Sequence, residues 1–137
     1  MIRYNRLPGD IHEKIALLKD FFGHNPNIVF AYLFGGLTIN QKPLSDVDIA
    51  IYVKDTKKLN YLDLFTDITN ILKTDEVDLV ILNKAPLRLV GRILLSRKII
   101  VDKDPFFRPK YESLMAREYF DFQIKEKNIL NRRYGID

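Results

Sequence analysis

The chain has 137 residues, 47% hydrophobic and 29% charged, which suffices for one core and leaves no room for a second independently stable domain. Cysteine is absent, so disulfides and thiolate metal sites are excluded. The net charge is +4, and residues 108–133 supply +3 of it, with seven basic side chains against four acidic ones. That bias is too mild to choose among nucleotides, nucleic acid and an acidic partner.

In chain order, residues 1–10 (MIRYNRLPGD) contain no apolar segment of signal-peptide type. The longest apolar run, residues 28–34, is too short to span a bilayer, so a cytoplasmic location is expected. Asp10 and Glu13 form a capping-box pattern, Ile11, Ile15, Leu18 and Phe22 recur at helical spacing, and Gly23 is the predicted stop. After an Asn25-Pro26-Asn27 turn, residues 28–34 (IVFAYLF) read as a strand buried on both faces, ending in Gly35-Gly36. A polar connection leads to a second strand over residues 46–53. Val47, Ile49, Ile51 and Val53 face one way in it, and Asp46, Asp48, Ala50 and Tyr52 the other. A helix is predicted over 59–72, a strand over 77–82 with Asp78, Val80 and Leu82 on one face, and a helix from Pro86 to about Leu95. A short strand over 99–101 and a long helix from beyond Pro109 to about Arg133 complete the chain. Alternating strands and helices indicate a single α/β (or α+β) domain over 1–137.

The chemistry concentrates between Leu33 and Tyr52. A buried strand ends in two glycines, whose backbone can approach an anion closely and form a nest for phosphate. A short polar loop follows, and then Asp46 and Asp48 leave one face of a strand together. Two carboxylates so placed repel unless a cation lies between them. Mg²⁺ takes oxygen ligands and leaves positions for water and phosphates, and two such ions can hold both the attacking and the leaving oxygen of a phosphoryl displacement. Asp78, on the next predicted strand, is the candidate third carboxylate, with Asp75 and Glu76 as competitors for that role. A second Asp-x-Asp, Asp102-Lys103-Asp104, has no preceding glycine pair and lies beside Pro105, so spacing alone carries little. The plainer alternative for Asp46 and Asp48 is the wet face of an edge strand.

YLFGG, SDVDIAIY, VDLVILNKAP, GRILLSRKIIVDKD and the basic helix ending in NRRYG together resemble the polymerase-β-like nucleotidyltransferases. More closely, they resemble the minimal (MNT-type) antitoxins that pair with HEPN-domain toxins. The likeness covers about residue 28 to the C-terminus. It implies a small mixed sheet flanked by helices, with a long C-terminal helix. It also implies triphosphate contacts from Gly35, Gly36 and Ser45, and Mg²⁺ ligands (two ions) in Asp46, Asp48 and Asp78, the catalytic set. The implied reaction moves AMP from ATP to a hydroxyl, a tyrosine of the partner HEPN ribonuclease, in a hetero-oligomer with that toxin. Two departures stand out. Gly36 occupies the place of the usual serine, and the nine-residue connection to Asp46 is one shorter than the pattern. Thr38, Lys42 and Ser45 are the candidate substitutes for the missing hydroxyl contact.

Three other functions compete. A non-catalytic antitoxin would act by contact alone. An enzyme modifying a small hydroxylated molecule would need a second-substrate pocket that so short a chain can scarcely build. Direct nucleic-acid binding lacks an aromatic-basic motif. His12 and His24 read as surface residues, and no Ser-His-Asp order is present. Tyr111, Met115, Tyr119 and Phe122 form a helical stripe that suits the core or, alternatively, a partner surface.

Overall fold

A computed structural model describes residues 11–35 and 47–134; Asp10, Gly36, Ser45 and Asp46 lie outside the described residues. The elements are α1 (Ile11–His24), β1 (Ile28–Phe34), β2 (Val47–Val53), α2 (Tyr61–Leu72), β3 (Val77–Ile81), α3 (Leu87–Ser96), β4 (Lys98–Asp102) and α4 (Phe107–Tyr134). The four strands form one sheet in the order β3-β2-β1-β4. β1 runs antiparallel to β2 and β4, whereas β2 and β3 are parallel, so the sheet is mixed. The parallel pair needs a crossover, and α2 provides it.

β1 is an interior strand with its first six residues buried, which explains its unbroken apolar run. β2 is also interior, and its alternation sorts side chains between two cores. Val47, Ile49, Ile51 and Val53 pack with Leu18 and Phe22 of α1 and Ile68 and Leu72 of α2. On the opposite face, Ala50 and Tyr52 join Phe30, Tyr32, Val90, Ile93 and Tyr111 beneath α3 and α4. The Phe30 and Tyr52 rings stack with centroids 5.2 Å apart, and Tyr111 tilts against both.

Several boundaries differ from expectation for local reasons. α1 continues through Gly23 to His24, whose Nδ1 lies 2.8 Å from the Asp20 carbonyl, so the glycine sits inside the last turn. α2 begins at Tyr61 because Asn60 caps it, its side chain accepting the Asp63 N–H at 3.1 Å. α4 starts before Pro109, at Phe107, because Asp104 Oδ1 accepts the Phe107 N–H at 2.9 Å and proline is tolerated in a first turn. The aromatic stripe of α4 divides. Tyr111 is buried, and Tyr119 lies so close to Gly91 of α3 that a Cβ there would enter its ring. Phe122, by contrast, is exposed beneath the Arg88 guanidinium, 5.5 Å from its centroid.

Candidate active site

The end of β1 and the beginnings of β2 and β3 meet at one edge of the fold. Phe34 pairs with Asp48 across the antiparallel ladder, and Asp48 pairs with Asp78 across the parallel one. Side chains at paired positions leave the same face, so the two carboxylates emerge side by side. Asp48 is half-buried on an interior strand, which removes the edge-strand alternative for it; Asp78 is exposed on the edge strand β3. Asp75 is exposed and Glu76 half-buried, both in the turn before β3 and outside this ladder pairing.

Gly35 follows directly and has φ +74°, a left-handed conformation that glycine adopts without strain. A Cβ at this position would overlap the Asp48 carboxylate. The turn and the aspartate are therefore in contact, and only glycine fits. Gly35→Ala is expected to lose about 1–2 kcal/mol from the left-handed backbone alone. It should also slow any phosphoryl transfer that uses Asp48, on the order of a hundredfold, by displacing that carboxylate. Thermal unfolding and a transfer assay on the same preparation check both.

The Gly35 N–H does not point outward as a simple phosphate nest would require. It donates to Ser96 Oγ at the end of α3, at 3.0 Å. Ser96 was not among the residues that sequence reasoning singled out, and no periodicity reveals a contact across 61 positions. Tyr61 is a second such neighbour. Its hydroxyl donates to the Leu79 carbonyl at 2.9 Å, and burial together with the Asp78 charge pushes its pKa up.

The hard-cation test is partly met. Asp48 and Asp78 supply two adjacent oxygen-donor groups. Among the described residues no cluster of three His, Cys, Asp or Glu could hold a metal ion, so a third carboxylate would have to come from outside them, where the expected Asp46 lies. The other Asp-x-Asp has structural employment: Asp102 Oδ2 accepts from Arg108 Nε at 2.7 Å, and Asp104 caps α4. Gly36 and Ser45, the remaining expected triphosphate contacts, lie outside the described residues.

Behind the turn lies a second polar cluster. Glu112 of α4 accepts from Tyr32 Oη (2.6 Å), Arg97 Nε (2.7 Å) and Arg108 Nη1 (2.8 Å). Burial pushes the Glu112 carboxyl up, but the hydrogen bonds from Arg97, Tyr32 and Arg108 outweigh it and hold the group below the usual range. Burial, reinforced by Glu112, keeps the Tyr32 phenol protonated.

Residues 16–106 match the family model described as polymerase beta, nucleotidyltransferase. No curated protein sequence matches the chain. Among solved structures, a toxin–antitoxin complex with AMP-PNP superposes with a TM-score of 0.62 at 22% identity, covering 87% of this chain and 93% of that one. The MntA–HepT toxin–antitoxin gives 0.58 at 22% identity, with 88% and 92% covered. A complex of tri-AMPylated Shewanella oneidensis HEPN toxin with MNT antitoxin gives 0.59 at 20% identity, with 88% and 92% covered. Likeness at this identity speaks for a shared fold, and the family match spans most of the chain. The chain belongs to the polymerase β nucleotidyltransferase family and has the fold of the MNT-type antitoxins.

Proposed function

We propose that this protein is an antitoxin that transfers AMP from ATP to a tyrosine hydroxyl of a partner HEPN ribonuclease in the cytoplasm, with pyrophosphate leaving. The observation that carries the reading is the ladder pairing of Asp48 with Asp78 beside the left-handed Gly35 turn. Two carboxylates side by side on neighbouring strands are an electrostatic cost that a divalent cation relieves. In this reading Asp46, Asp48 and Asp78 hold Mg²⁺, and Gly35, Gly36 and Ser45 border the triphosphate. The metal, when bound, would neutralise phosphate charge and orient the reacting oxygens. The protein's own part is to hold these carboxylates rigidly, Asp48 on an interior strand, so that attacking hydroxyl, phosphorus and leaving pyrophosphate fall in line. The solved relatives supply the choice of nucleotide and partner: one complex contains AMP-PNP, and in another the HEPN toxin carries AMP groups.

ATP labelled at the α-phosphate, with Mg²⁺ and the cognate HEPN protein, is expected to label that protein on tyrosine. Absence of label with folded partners and saturating nucleotide would overturn the reading.

One observation favours a contribution from contact alone. The C-terminal half of α4 leaves Phe120, Ile124, Ile129, Leu130 and Tyr134 largely exposed. Apolar side chains displayed along an exposed helix face suit a protein partner. If contact alone neutralises the toxin, a variant with Asp48 and Asp78 both replaced by Asn still protects cells from it.

A further inference from the structure

The loop after β1 has Gly36 where the family pattern has serine, but the fold brings a hydroxyl to the same turn from a distant element. We propose that Ser96 is a phosphate-positioning residue, its hydroxyl donating to the triphosphate in place of the serine hydroxyl that Gly36 lacks. This inference rests on the nucleotidyltransferase reading above and names a residue of that site.

A serine hydroxyl has one donor and two acceptor positions. The Gly35 N–H fills one acceptor position of Ser96 Oγ at 3.0 Å, leaving the O–H to donate elsewhere. A hydroxyl that accepts an amide proton is polarised toward stronger donation, so the pair forms a short relay from backbone to ligand. Its location is the right one, because Gly35 is also the residue on which a Cβ would overlap the Asp48 carboxylate. Ser96 is half-buried, so it keeps access to solvent and to a ligand.

A competing effect has to be overcome. Ser96 is the last residue of α3, and a helix C-terminus carries partial negative charge that opposes a phosphate. Arg97 offsets this. Its Nη1 donates to the Leu94 carbonyl at 2.6 Å, satisfying an acceptor of the last turn and placing a cation there. Arg97 is itself clamped by Glu112 through Nε (2.7 Å) and Nη2 (3.1 Å). Because Glu112 also binds Tyr32 of β1, a single carboxylate fixes both sides of the Gly35–Ser96 contact. Such a mount gives the hydroxyl the rigidity that positioning requires.

The test uses the full chain with Mg²⁺, ATP and the HEPN partner, alongside calorimetric titration with Mg²⁺ and AMP-PNP. Ser96→Ala is expected to lower kcat/KM on the order of 10- to 100-fold, the range for a hydrogen bond to a charged group. It should also weaken AMP-PNP binding, with little change in thermal midpoint. Ser96→Thr, which keeps the hydroxyl, should recover most of the rate. Adding Gly36→Ser to Ser96→Ala should do the same from the loop side, and by a larger factor than Gly36→Ser raises the wild-type rate, a coupling that a merely structural role for Ser96 would not give. A Ser96→Ala protein with wild-type rate and AMP-PNP affinity overturns the inference, as does failure of both rescues. If the wild type binds AMP-PNP but labels no partner, the transfer reading fails by itself, and the affinity comparison still decides the role of Ser96. A wild type that neither binds nor transfers defeats both.

Discussion

Asp48→Asn is expected to lower AMP transfer about a thousandfold, corresponding to roughly 4 kcal/mol of lost charge stabilisation, while the protein stays folded. Asparagine preserves the side chain's shape on β2 and leaves Val47 and Ile49 in their core positions, so only the charge is removed. In phosphoryl transfer the protein contributes mainly position and charge neutralisation, and a neutral amide holds a divalent ion far less well than a carboxylate. Asp78→Asn should act on transfer in the same direction. Because Asp78 is exposed and opposite a like charge, its replacement should leave stability unchanged or raise it by a few tenths of a kcal/mol. The double variant should be little worse than either single one, since groups that share a ligand act as a unit. Initial rates of label incorporation, with thermal unfolding as the fold control, measure all three. Near-normal transfer by Asp48→Asn would remove the carboxylates from the mechanism. A divergence between rate and stability, with the rate falling and the fold holding or gaining, is what separates a functional charge pair from a structural one.

Faces were legible in the sequence, and partners were not. The apolar run of β1 and the alternation of β2 follow from burial on two faces and from the two-residue strand period, so the strands and the side bearing Asp48 could be read directly. The parallel register that sets Asp48 against Asp78 could not, because it depends on how α2 returns the chain to the sheet. Beforehand the two were linked only by the place of Asp78 on the next predicted strand and by the family resemblance. Ser96 escaped notice for a similar reason: one serine at the end of an apolar helix looks like any solvated terminus until its distant partner is known. Glu112 counted as one of four acidic residues in a basic, solvent-facing segment, and Tyr32 as one apolar member of a buried run. Paired or solvated, a charged side chain gives the same helical pattern. Boundaries slipped where capping chemistry competed, as at Asn60, or where a glycine fell one residue inside the last turn, as at Gly23.

Glu112→Ala should cause the largest loss of stability outside the apolar cores, about 3 kcal/mol, seen as a fall of roughly 10 °C in thermal midpoint. The Glu112 and Arg108 side chains are only 12% and 17% exposed, and removing one partner of a buried pair strands the other's charge. The figure sits at the low end for such losses. Arg97 is 35% exposed and can rehydrate, and Asp102 still holds Arg108. Tyr32 would also lose the acceptor for a hydroxyl in a largely apolar setting. The dependence on pH follows from the direction of the Glu112 shift. The folded protein binds the Glu112 proton less readily than the unfolded chain, so the contribution is complete above the ordinary glutamate value of 4.5. It declines as pH falls through the lower folded value. Urea unfolding at neutral pH and at successively lower pH should therefore show the wild type and Glu112→Gln converging only below pH 4.5. A gap that stayed constant with acid would mean that packing, not the carboxylate charge, holds α4 to the sheet. The same substitution reaches the proposed transfer site, because Glu112 clamps Arg97 beside Ser96. Its rate should fall further than Arg108→Lys does at matched stability, since that change spares the Arg97 clamp.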